Sequence, residues 1–297
     1  MHIFVAFMQY GEGMRYEIVS GEGTKSVINT RGAHVEDLHL LGERIVRPSP
    51  DGKPTHGGAA TLIPYANRVR NAIYEFNGST YHLPENNGKN SIHGLLLDKE
   101  WTPVSIERDS IRMLVDLSGQ GYPSSIHCET GFSVSSGTFT CSFSITNTGQ
   151  KECPLVVGSH PYFMTAGTWE IRSEEEIVKL EYEDEYFPTG RTVPVERGSL
   201  SPEQGVTYDS CFRGTGALFI RTGYGTLSIS RTNMPFFVVY DGEYAGRESV
   251  AVEPMTGAPD AFNNGIGLVV LKPGKEYKCG YSVTFNKEAE SFTETVR

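Results

Sequence analysis

The sequence predicts an all-β protein, a large antiparallel β-sandwich, on three observations. Over 138–146, Phe139, Cys141, Phe143 and Ile145 alternate with Thr138, Thr140, Ser142, Ser144 and Thr146. That period of two turns one face of a strand to a core and the other to water. Similar short runs recur between 33 glycines and 16 prolines, the residues that β-turns demand. Strands do not alternate with helix-period segments, which argues against a doubly wound parallel sheet. The 297 residues are many for one domain, yet β-sandwiches reach that length. No repeat, linker or low-complexity stretch divides the chain, so residues 1–297 are expected to form a single domain. Such a chain can bury a large core without disulfides or structural metals.

The elements follow in chain order. Met1 to Met8 is apolar but short, with no basic flank before it and no cleavage-like segment after it, so it reads as neither leader nor anchor. Gly57-Gly58 and Pro64 mark irregular backbone that can aim Asn67 and Arg68 at a ligand. A guanidinium is a rigid fork of donors suited to hydroxyl and carboxylate oxygens; a surface ion pair is the plainer use of Arg68. Asn77-Gly78 between two alternating runs signals a hairpin. The polar loop from Glu85 ends in His93, where Gly94 lets something approach closely. Trp101 suits a sugar face or the core equally well. The 138–146 strand stops at the turn residues Asn147-Thr148-Gly149.

Leu155-Val156-Val157 reads as the end of a buried strand, and Gly158-Ser159-His160-Pro161-Tyr162-Phe163 follows. A residue before proline is pushed towards extended geometry. His160 is therefore expected at a strand end or just beyond, with Tyr162 and Phe163 walling a small site. Glu174 to Glu176 and Glu181 to Glu185 read as a solvated face and loop. Alternation returns at Val178/Leu180/Tyr182, Leu227/Ile229 and Tyr281/Val283/Phe285. Asp209 beside Ser210 has the look of a turn residue. Ser249 to Gly257 sets Glu253 after an apolar run and before Pro254, repeating the order strand, ionisable residue, proline.

Histidine titrates nearest neutrality and can give or take a proton at working pH. A glutamate in an apolar strand is costly to ionise, and desolvation raises its pKa towards neutrality. His160 and Glu253 are thus candidates for a general acid and a general base.

The formal charge of −10, without a Lys/Arg cluster, disfavours nucleic acid and anionic membranes, and gently disfavours a phosphorylated substrate. Cys128, Cys141, Cys153, Cys211 and Cys279 are odd in number and scattered, which argues against a disulfide framework and a zinc site. His34 and His39 lack a chelating spacing, and no metal ligand set is named. No apolar run reaches transmembrane length. The compartment is read as reducing, the cytoplasm.

The segments NRVRNAIYEFNGSTYHL, NSIHG, GSHPYF, PTG at 188–190, TYDSCF and VAVEPMTGAPDAFNNGIGLVVLKPG resemble, in their order, the aldose 1-epimerase (mutarotase) family. The resemblance spans roughly residues 57 to 275, and the combination is more specific than any one piece. It implies a galactose mutarotase-like supersandwich, His160 as general acid and Glu253 as general base on opposite sides of the C1–O5 unit. It also implies His93, Asp209 and Arg68 as sugar-binding residues, joined by Asn67 from its loop. No cofactor or metal is implied, and the partner is a monosaccharide, for a monomer or homodimer. The chain departs after NSIHG, where Leu95-Leu96-Leu97-Asp98 replaces the glycine or arginine of many members; that bears on substrate preference. The alternatives are a hexose-6-phosphate mutarotase, which needs extra basic residues where only Arg70 lies near Arg68, and a non-catalytic carbohydrate-binding sandwich, which lacks acid or base. A two-carboxylate glycosidase would need a second buried acid beside Glu253, and Asp209 is the one plausible partner.

Overall fold

The computed structural model of the chain describes residues 5–6, 13–195, 199–202 and 207–287. Apart from Val5–Ala6, the apolar run Met1 to Met8 lies outside the described residues.

The alternation at 138–146 becomes the strand Thr138–Asn147, with Phe139, Cys141, Phe143 and Ile145 buried. It pairs antiparallel with Ile126–Ser135 on one side and Glu276–Asn286 on the other. Among the described residues these strands belong to a nine-stranded sheet, and a twelve-stranded sheet forms the second layer. One hydrophobic cluster draws from both, joining Phe139, Ile145 and Tyr281 of the first to Leu62, Phe163 and Val252 of the second. The sheets also meet in a buried hydrogen bond of 2.9 Å between the Ser159 and Tyr281 hydroxyls. This is the all-β antiparallel sandwich expected. The described helical structure is the single turn Ala261–Asn264 and the 3₁₀ turn Arg70–Ala72.

Local chemistry explains the connections. Asn77 and Gly78 both have positive φ, 48° and 73°, as a two-residue turn requires, and join Ile73–Phe76 to Ser79–His82. Trp101 is fully buried, so it is a core residue and not a sugar platform. Phe163 likewise points into the core. Glu174 to Glu176 are exposed, as are Glu183, Asp184 and Glu185. The five cysteines are free and buried.

The centre of the larger sheet runs through Ala59–Leu62, Gly158–Met164, Ser249–Met255, Phe236–Tyr240 and Asp209–Arg213, in that spatial order. Gly158 pairs with Met255 and Tyr162 with Ala251, so His160 faces Glu253 across the two central strands. His160 also pairs with Ala60, and Glu253 with Val238. One row further along come Tyr162, Ala251, Tyr240 and Asp209. Directly paired residues share a face. Both rows therefore lie on the face opposite Ser159, turned away from the second sheet.

Candidate active site

His160 sits inside a strand that is paired on both sides, and not at a strand end as the proline had suggested. Proline in a central strand removes a ladder donor. Here Pro161 and Pro254 lie on the two facing strands, in the interval between the pairings at Gly158–Met255 and Tyr162–Ala251. The ladder is weakened at the row where the two ionisable side chains emerge. Asp209 likewise opens the strand Asp209–Arg213 and is no turn residue.

Across that row, His160 Nε2 lies 3.2 Å from Glu253 Oε1, with both side chains almost fully buried. Burial pushes the His160 imidazole down to about 3. Burial also holds the Glu253 carboxyl well above its usual range, with Asp209 adding to the rise and Arg68 opposing it. Both neutral forms are favoured, and one proton can pass between the partners across this contact. Three buried polar atoms here, His160 Nδ1, His93 Nδ1 and Glu253 Oε2, have no hydrogen-bond partner among the described residues, so polar capacity is left at the site.

His93 comes from the loop that the sequence placed beside Gly94. It is buried, in the left-handed region at φ 62°, and its ring meets that of His160 edge-on at 5.3 Å. Burial lowers its pKa well below the ordinary value, with His160 and Arg68 adding to the fall. The close approach allowed by Gly94 is made by the chain itself: at φ 84°, a Cβ there would stand 2.1 Å from the Ile63 carbonyl oxygen.

Arg68 reaches the site from the short strand Arg68–Val69, which pairs with Ser91–Ile92. Its Nε donates to Asn87 Oδ1 at 3.3 Å, and its Nη1 lies 3.6 Å from Asp209 Oδ2. The guanidinium also rests 3.9 Å from the centroid of the Tyr186 ring. Asn67 turns its oxygen to the Arg68 backbone N–H at 2.8 Å, so it orients the arginine as well as lining the site. Beneath, the Asp260 N–H donates to the Arg68 carbonyl, and Asp260 Oδ1 accepts from the Arg70 N–H. Burial raises the Asp209 carboxyl, against the pull of Arg68.

All six residues singled out in the sequence, His160, Glu253, Arg68, His93, Asp209 and Asn67, line one half-open cavity of about 380 Å³. Arg70 does not. It pairs with Glu183 and Asp184 and covers the Phe187 ring. The cavity instead receives Lys53, Thr55, His56, Tyr240 and Tyr244, which sequence reasoning missed. The Lys53–His56 segment carries no local signal beyond turn residues, and its place depends on contacts with distant strands. Asn86 and Asn87 were part of the polar loop noted beside His93. Among the described residues, no group of three or more His, Cys, Asp or Glu side chains is arranged to hold a metal ion, and no helix is long and apolar enough to cross a membrane.

Residues 14–284 match the profile of the aldose 1-epimerase family. The chain belongs to that family. The relatives of this family member include an uncharacterised protein of Escherichia coli K12, YihR, 28% identical over 290 residues that cover 91% of this chain and 93% of that one. The galactose mutarotase of Bos taurus is 25% identical over 315 residues, 91% of each chain. A galactose mutarotase-like protein of Clostridium acetobutylicum has the same fold, with a TM-score of 0.81 at 17% identity over 96% of this chain and 99% of that one.

Proposed function

We propose that this aldose 1-epimerase family member is a mutarotase that interconverts the α and β anomers of a free aldohexose. The observation that supports it most is the His160–Glu253 pair, 3.2 Å apart on the floor of a cavity that also holds Arg68, His93 and Asp209.

Ring opening needs a base at the anomeric hydroxyl and an acid at the ring oxygen. The Glu253 carboxylate takes the hydroxyl proton, the His160 imidazolium protonates O5, and the C1–O5 bond breaks to an aldehyde. Both side chains end neutral, the forms that burial favours. The open-chain complex therefore finds the pair in its preferred protonation state. After rotation about C1–C2, Glu253 returns a proton to the carbonyl oxygen and His160 takes one from the C5 hydroxyl as the ring closes on the other face. The starting ion pair differs from the resting neutral pair by one proton crossing a single hydrogen bond. The acid and base stand side by side on neighbouring strands, not across the sugar; this suits two oxygens bonded to the same carbon. Arg68, Asp209 and His93 hold ring hydroxyls so that the open chain recloses before escaping.

A neutral sugar fits the charges. Lys53 Nζ lies 3.6 Å and His56 Nδ1 2.9 Å from Asp51 Oδ2, so the cationic rim is already matched by a carboxylate. Five free, buried cysteines agree with a reducing, cytoplasmic setting for what we read as one domain. The test is relaxation of freshly dissolved α-D-glucose and α-D-galactose, followed by polarimetry or NMR. Acceleration well above buffer is expected. Acceleration of a hexose 6-phosphate alone moves the chain to the phosphorylated-sugar reading. Sugar binding with no acceleration of any aldose leaves a carbohydrate-binding sandwich.

A further inference from the structure

We infer that Tyr162 is the residue that sets the plane of the His160 imidazole. This rests on the acid role proposed for His160 and extends it. A working histidine is commonly oriented by a hydrogen bond at its second nitrogen. His160 Nδ1 is buried and has no hydrogen bond to another residue among those described, which leaves the task to packing. Two rings are placed to do it. His93 meets His160 edge-on, with 73° between the planes. Tyr162 lies against its face, with ring centroids 4.6 Å apart and 21° between the planes. The stack follows from the strand, because residues two apart project from the same face.

Tyr162 is itself held through its hydroxyl, its backbone and its ring. Its hydroxyl donates to the Thr55 carbonyl at 2.8 Å. Its backbone N–H donates to the Gly58 carbonyl, and its carbonyl accepts from the Arg47 N–H, each at 2.9 Å. The segment 47–58 thus grips Tyr162 at three points. Ala251 opposite it and Ala245 pack around the ring in a small cluster apart from the main core. Tyr240 stands edge-on at 6.4 Å. With its proton committed to Thr55 and its phenol pKa raised by burial, Tyr162 serves by position and not as a second acid.

Three proteins are compared, wild type, Tyr162→Phe and Tyr162→Leu, with folding checked by circular dichroism. Misplacing a reacting group costs rate more than binding. The leucine variant is expected to lose about tenfold or more in kcat with KM within about twofold, while phenylalanine, which keeps the stack, stays within about threefold of wild type in both. Equal kcat in the leucine variant and wild type, or a change in KM alone, overturns the inference. The His160 ring ¹⁵N and ¹H resonances supply a readout independent of turnover. They are expected to move in the leucine variant and to hold near wild type in the phenylalanine one. Should wild type accelerate no aldose, the mutarotase reading fails by itself and these resonances decide the positioning role. Unmoved resonances in the leucine variant sink that role even where mutarotation is observed.

Discussion

His160 and Glu253 occupy one cross-strand row of the larger sheet, and their nearest polar atoms are 3.2 Å apart in a setting where burial disfavours both charges. Neither strand alone makes the site. The pairing of Gly158 with Met255 and Tyr162 with Ala251 brings a histidine and a glutamate face to face on the side of the sheet turned away from the second sheet.

Neutralising either partner should remove most of the catalysis. Glu253→Gln and His160→Gln are each expected to lower kcat by about 10²–10⁴-fold, the usual contribution of one positioned proton transfer. Because the two act as a unit, the double variant should lose little more than either single one. Anomer relaxation rates measure all three, and a variant that keeps wild-type kcat would remove that residue from the chemistry.

The pH–rate profile follows from the single proton the pair must hold. The raised pKa of Glu253 keeps that proton to higher pH than an ordinary carboxyl would, and above it kcat should fall. His160, at about 3, places any acid limb far below neutrality. Rates across the stable range should be flat through neutrality and decline on the alkaline side. An acid limb near 6.5 would contradict this assignment.

Stability has opposite signs at the two residues. The folded pKa of Glu253 lies well above the ordinary 4.5 of a glutamate, so its contribution is present below 4.5 and lost as pH rises through the folded pKa. That of His160 lies below 6.5, at about 3, so its contribution is present above 6.5 and lost as pH falls towards 3. Relative to wild type, Glu253→Gln should gain stability as pH rises above 4.5, and His160→Gln as pH falls below 6.5. The slope reaches at most about 1.4 kcal/mol per pH unit. Denaturant midpoints across pH read both signs.

Arg68 donates sideways to Asn87, stands beside Asp209 and stacks on Tyr186, a geometry that a lysine cannot reproduce. Arg68→Lys should raise KM about tenfold with a smaller change in kcat, as expected for lost binding. Initial rates against sugar concentration decide it.

Gly94→Ala tests how His93 is delivered. A side chain at φ 84°, with its Cβ 2.1 Å from the Ile63 oxygen, should cost about 1–3 kcal/mol from backbone strain and more from the clash. Denaturation together with KM measures the loss; a variant as stable as wild type would mean that the loop shifts without cost.

Several parts of this picture were legible in the residues. The strand Thr138–Asn147 was readable because its period of two is local, and so was the Asn77-Gly78 turn. Tyr182 and Tyr281, chosen on alternation, both fell within strands. Proline misled at His160, because the rule for the preceding residue concerns one peptide unit, and nothing in it shows that the strand continues through Pro161 to Met164, paired on both sides. Arg70, the one basic residue near Arg68 in sequence, turns its side chain to Glu183, Asp184 and Phe187, which the sequence alone does not show. Lys53, His56 and Tyr244 carried no signal, since Arg47 fastens their two segments together from outside both, through the His56 and Tyr244 carbonyls.

By itself the sequence determined the all-β class, the turns, and the two strands that each carry an ionisable residue before a proline. Those features rest on periodicity and backbone sterics within a few residues. Only the tertiary structure decided that the two strands are neighbours, that their register sets His160 against Glu253, and which loops close the cavity. Register is a relation between segments far apart in the chain, and burial, which disfavours both charges of the pair, exists only once the segments that carry Lys53, Arg68 and His93 have closed over that face.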